Sequence, residues 1–196
     1  MSELLPYRSQ RQLQDDTAML GWLVFLASWT MLFAAALFAY GVLRLGAPGA
    51  WPSPGLGRVP PGVPALATLA LIAAAAAMQA GWSRIGRGRP LELSAALILA
   101  LLFGLLFLGL EVVVWRQLAL AVIHLRDSLY GPLVYAVTGL LALHAAIGVA
   151  ATATLLVRSV DGEYSAARHL AVKLWTFYWH FVAAMGIVVF GVLFWA

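Results

Sequence analysis

Five long apolar runs alternate with short segments that are charged or rich in Gly and Pro. A helix needs about 20 apolar residues to cross ~30 Å of hydrocarbon at ~1.5 Å each. Five stretches qualify: roughly residues 17–43, 61–83, 93–120, 133–157 and 172–195. No Asp, Glu, Lys or Arg lies between Asp16 and Arg44. The second run is dense in alanine at Ala73 to Ala77, and the third carries Glu111 and Arg116 in its second half. His144 is the only ionisable side chain of the fourth, and His180 lies inside the fifth. The pattern predicts an all-α fold, an integral membrane bundle of five transmembrane helices in one domain over residues 1–196. Backbone polar groups in lipid must be satisfied within each span, which favours helices.

The connections suit these spans. Pro48, Pro52, Pro54, Pro60 and Pro61 break the chain between the first two. Arg84, Arg87, Arg89 and Pro90 make a short basic turn, and Gly131 and Pro132 open the fourth span. Orientation follows the bias of Lys and Arg towards the inner side. With the N-terminus inside, Arg8, Arg11, Arg84, Arg87, Arg89, Arg158, Arg168 and Lys173 fall inside; Arg44, Arg58, Arg116 and Arg126 fall outside. The expected topology is N-in/C-out. Small residues four apart, Ala35 and Ala39, Ala73 and Ala77, and Ala142, Ala146 and Ala150, suit close approach of helices in lipid.

Composition sharpens the class. Hydrophobic residues make up 63% of the chain and charged residues 10%, where a soluble domain carries roughly 25% charged. The absence of cysteine excludes disulfides, thiolate metal sites and cysteine nucleophiles. The net charge of +4 comes from basic residues between the apolar runs, so topology explains it and no nucleic-acid partner is expected. The polar start from Met1 to Asp16 lacks the pattern of a cleaved leader, so the first helix is expected to stay as an anchor.

Ionisable residues inside a membrane are costly and mark functional hypotheses. Counted along their helices, His144 and His180 reach similar depths near mid-membrane. Side by side they would form a proton relay or a haem or metal ligand pair. As separate structural histidines they would hydrogen-bond neighbouring helices, the reading favoured by the lack of further ligands. Glu111 is expected near the outer interface, paired with Arg116 or meeting Tyr135 or Thr138, as a proton carrier or an interfacial polar contact. Trp175, Phe177, Tyr178, Trp179 and Phe181 form a dense aromatic cluster around His180. GxSxG, GxxxxGK[ST], HExxH and CxxC are all absent, which argues for a membrane partner or scaffold without a soluble small-molecule substrate.

Four segments carry a family resemblance. His169 to Val182, containing W-T-F-Y-W-H-F-V, resembles the last-helix signature H-F-G-F-E-A-A-A-W-Y-W-H-F-V-D of subunit III of the haem-copper (cytochrome c) oxidases. Tyr130, Gly131, Tyr135, Thr138, Gly139, His144 and Gly148 resemble its Y-G-S-x-F-Y-x-x-T-G-x-H-x-x-H-V-x-x-G. Gly21 to Ser28 with Met31 to Phe33 resemble G-x-W-x-F-L-x-S-E-x-M-x-F, and Phe107 to Glu111 with Trp115 are similar to F-L-G-x-Q-x-x-E-Y. The segments stand in the family's order and cover nearly the whole chain. Five helices suit its short bacterial form. Trp29, Val114, Lys173 and Ala183 stand where the family has carboxylates, and Leu141 where it has a histidine. Proton roles of those carboxylates are therefore not carried over.

The resemblance implies a non-catalytic subunit with no catalytic, metal or cofactor site of its own. Haem and copper would lie in oxidase subunits I and II, its partners in a bacterial plasma membrane, with phospholipid between helices. The complex would reduce O2 in aerobic respiratory electron transport, coupled to proton translocation. Candidate structural, subunit-contact or lipid-contact residues are Glu111, His144, His169, Tyr178, Trp179 and His180. Alternatives are an accessory subunit of a nitric oxide reductase, a free-standing proton channel or transporter using Glu111, His144 and His180, and a haem-binding bundle.

Overall fold

The computed structural model describes residues 10–47, 51, 59–121 and 130–195. Arg8, Arg58, Arg126, Pro48, Pro52 and Pro54 of the expectations above lie outside the described residues. The chain forms α1 (Gln10–Leu45), α2 (Gly62–Gly86), α3 (Pro90–Ala121), α4 (Tyr130–Val160) and α5 (Leu170–Phe190). A wider π-type turn over Gly191–Trp195 continues α5. All five helices are long and apolar enough to cross a membrane. Each expected span falls on one of them, but the helices run on past the apolar residues. Asp15 and Asp16 belong to the first turns of α1, and Arg158 and Ser159 to the last turns of α4. An α-helix satisfies its own backbone, so nothing stops it where the hydrocarbon ends.

Two glycines with positive φ end helices where the chain must turn sharply. Gly88 (φ 74) closes α2, its N–H on the Ile85 carbonyl at 2.9 Å, with Arg89 N–H on the Arg84 carbonyl at 3.1 Å. Gly162 (φ 75) does the same after α4. These are left-handed C-terminal turns that few residues other than glycine adopt cheaply. Pro90 then starts α3, and Glu92 in its first turn meets Arg84 at 3.3 Å and Arg89 at 3.1 Å. The turn read as basic is thus partly neutralised by an acid from the next helix.

α2, α3, α4 and α5 form a ring in which each touches two neighbours, and α1 lies outside it against α4 and α5. Only 11% of the apolar stretch of α1 is buried, against 33–39% for the others. The tightest seam joins α2 and α3. Ala67, Ala70, Ala74 and Gly81 of α2 are all buried. A Cβ on Gly81 would stand 3.2 Å from Ala96 Cβ and from Leu93 Cδ1, so the backbones are close because their side chains are small. Most of the expected small-residue pairs are not at this seam: Ala35, Ala39, Ala146 and Ala150 are exposed, and Ala73 and Ala77 only half-buried.

Candidate functional site

α5 carries Tyr178 and Trp179 into the ring, both fully buried. The Trp179 Nε1–H donates to Thr152 Oγ1 at 2.9 Å, and the Thr152 hydroxyl donates to the Gly148 carbonyl at 2.8 Å. The indole lies in a slot between α3 and α4 where two side chains are missing. A Cβ on Gly104 would stand 2.7 Å from Trp179 Cη2, and one on Gly148 would stand 3.1 Å from Trp179 Cε2. Those two positions accept the indole because they are glycine. The Tyr178 hydroxyl donates to the His144 carbonyl at 3.0 Å.

His144 is 0% exposed. Its Nδ1 lies 2.7 Å from the Leu140 carbonyl. A carbonyl only accepts, so Nδ1 carries the proton and Nε2 the lone pair. Nε2 is buried with no hydrogen-bond partner. Rings surround it: Trp29 at 4.3 Å between centroids and near-perpendicular, Phe33 at 5.0 Å, Phe181 at 6.1 Å and Tyr178 at 6.5 Å. Trp22 of α1 extends the cluster to Trp175 at 5.1 Å. This aromatic box is where α1 attaches to the ring. Trp29 is therefore a packing residue beside His144.

His180 does not join His144. It is exposed on the far side of α5, its Nε2–H donating to Gln79 Oε1 of α2 at 3.0 Å. The sequence gives each histidine a height but not a direction around the helix, so the side-by-side arrangement does not occur. His169 precedes α5, with Nδ1 3.1 Å from the Ser165 carbonyl. With Asp15, Asp16 and Lys173 it lines a cleft of about 220 Å³ between the start of α1 and the start of α5. The Lys173 ammonium sits 5.8 Å above the Trp82 ring.

Glu111 is 5% exposed and lies inside the ring, towards the end of the bundle where α2 and α4 begin. Its carboxyl meets the Thr138 side chain of α4. Among the described residues no ion pair joins it to Arg116. Tyr135 is engaged elsewhere, its hydroxyl donating to the Trp115 carbonyl at 2.9 Å.

These residues do not fit a haem or copper ion. Among the described residues no three His, Cys, Asp or Glu side chains come together as ligands. His144 Nε2 is walled in by rings and His180 is held by Gln79. The residues that sequence reasoning passed over are uncharged: Gln79, Gly104, Thr152 and Thr176, whose hydroxyl donates to the Val172 carbonyl at 2.8 Å. Weighing every polar side chain inside an apolar run, and not only ionisable ones, finds Gln79 and the two threonines.

A family model described as cytochrome c oxidase subunit III matches residues 10–196. The chain is 32% identical over 175 residues to the probable cytochrome c oxidase subunit 3 of Mycobacterium bovis, covering 89% of this chain and 85% of that protein. It is 31% identical over 180 residues to cytochrome c oxidase subunit 3 of Thermostichus vulcanus, covering 91% and 87%. With cytochrome c oxidase subunit 3 of Triticum aestivum it shares 28% identity over 182 residues, covering 89% of this chain and 67% of that protein.

Proposed function

The chain belongs to the cytochrome c oxidase subunit III family, and from that premise we propose that it is the non-catalytic third subunit of a haem-copper oxidase, packed against subunit I and assembled with subunit II. The family makes it a multi-pass membrane subunit of an oxidoreductase complex. In this reading the redox centres belong to the partners. The chain serves O2 reduction and its coupled proton translocation by holding the complex together as a single membrane domain. Its place is the bacterial plasma membrane, N-terminus inside. In support of that orientation, Arg84, Arg87, Arg89, Arg158, Arg168 and Lys173 share one end of the bundle, while Arg44 and Arg116 lie towards the other.

The observation that carries the reading is the family match over residues 10–196. The interior is consistent with it. Tyr178 and Trp179 spend their polar atoms on neighbouring helices and His144 spends its ring in an aromatic box. We assign Glu111, His144, Tyr178 and Trp179 to the bundle's own cohesion, and His180 with Gln79 to contact with a partner subunit. The cleft beside His169 suits a phospholipid headgroup: Lys173 and His169 offer charge and hydrogen bonds to a phosphate, Asp15 and Asp16 to an amine.

The test is purification of the tagged chain from its native membrane in mild detergent, with a reduced-minus-oxidised spectrum and identification of what accompanies it. Haem bands with oxidase subunits I and II are expected. A colourless chain with neither subunit overturns the reading.

A further inference from the structure

A small cavity lies among α2, α3, α4 and α5, towards the end of the bundle where α2 and α4 begin. Its volume is about 20 Å³. That is room for one water and for no organic ligand. Thr68 of α2, Glu111 of α3 and Thr138 of α4 bring polar atoms to it, and Phe190 and Phe194 border it with rings stacked 6.3 Å apart.

The polar atoms around this cavity do not balance among themselves. The Thr138 hydroxyl gives its proton to the Val134 carbonyl at 2.8 Å and accepts the Trp115 Nε1–H at 2.9 Å. Its oxygen has one lone pair left, and the Glu111 carboxyl meets it. Only a neutral Glu111 carboxyl, through its O–H, can hydrogen-bond to that lone pair. Its Oε1 is buried and has no partner. The Thr68 hydroxyl gives its proton to the Pro64 carbonyl at 2.9 Å, which leaves its oxygen as an acceptor. Two acceptors thus border the cavity, and no donor among the described residues serves either.

A water molecule supplies the two missing donors. We propose that this cavity is a hydration site: one water, donating to Glu111 Oε1 and to Thr68 Oγ1, bridges α3 to α2 while Glu111 bridges α3 to α4 through Thr138. The inference rests on the cavity and the hydrogen-bond count, and stands whether or not the oxidase reading does.

Infrared spectroscopy of the full chain in its native complex tests it. A protonated carboxylic C=O band is expected, assigned to Glu111 by its loss in Glu111→Gln. Removing the water's second anchor with Thr68→Val should move that band to higher wavenumber, towards a carbonyl without a hydrogen bond. Thr68→Ser keeps the hydroxyl and should leave the band in place. A density map at a resolution that shows ordered water should contain one peak between the two oxygens. A band unmoved by Thr68→Val, or an empty cavity in the map, overturns the proposal. Should Glu111→Gln fail to accumulate, the contrast between Thr68→Val and Thr68→Ser still decides it.

Discussion

The Tyr178 hydroxyl reaches across from α5 to the His144 carbonyl of α4 at 3.0 Å, a carbonyl that also belongs to the helix's own ladder. The phenol therefore adds a second donor to an acceptor that is already used. Removing it leaves no bare carbonyl behind. Tyr178→Phe keeps the ring and its contact with Trp175 at 5.0 Å, so it should cost only about 0.5–1.5 kcal/mol. Denaturant titration of the solubilised protein, followed by helix signal, should show that modest loss. A collapse of the fold would mean the hydroxyl does more than this bond.

Gly104 makes a sharper demand. An added Cβ would lie 2.7 Å from Trp179 Cη2 and 2.7 Å from Val149 Cγ2, with packed side chains on both sides. Gly104→Ala should destabilise the bundle by about 1–3 kcal/mol through overpacking. Gly139→Ala has nothing within 4 Å of its new Cβ and should change little. Adding Trp179→Phe to Gly104→Ala frees part of the space and should recover part of the loss. Thermal stability of the three variants, compared in one detergent, checks the order.

How much of this was legible in the sequence depends on the scale. The number and type of the helices follow from the apolar runs, and the turn between α2 and α3 from Arg84, Arg87, Arg89 and Pro90. Which side of a helix faces inward does not follow from hydrophobicity. In α3, Leu97 is 0% exposed and Leu102 57%, yet both are leucine, because lipid and protein interior are equally apolar. Direction is carried instead by small and uncharged polar residues: Ala67, Ala70, Ala74, Gly104, Gly148, Thr152 and Thr176. The same blindness explains His180. Its position in the span was readable, but its turn towards Gln79 rather than His144 depends on how α5 is rotated against α2.

His144 separates the size of a side chain from its polarity. Its ring fills the box made by Trp29, Phe33 and Phe181, while its Nε2 has no partner there. His144→Ala should empty the box and cost about 2–4 kcal/mol, with α1 loosened from the ring. His144→Leu fills most of the space and removes the unpaired nitrogen, so it should stay within about 1.5 kcal/mol of the parent. Limited proteolysis near α1 and denaturant stability read both effects. Equal damage from both substitutions would show that the imidazole nitrogen itself is in use.

The topology can be measured directly because the chain has no cysteine of its own. Any single introduced thiol is then the only one in this chain that a maleimide can find. Pro60 lies exposed before α2, and Asp161 lies exposed after α4. An odd number of helices separates them, α2, α3 and α4, so the two sites must be on opposite sides of the membrane. With Arg84, Arg87, Arg89 and Arg158 inside, Pro60 faces outward and Asp161 inward. A membrane-impermeant maleimide added to intact cells should label Pro60→Cys, and label Asp161→Cys only after permeabilisation. The reverse pattern would place the basic turn outside and invert the whole bundle. Labelling of both sites in intact cells would mean that one of these three helices does not cross.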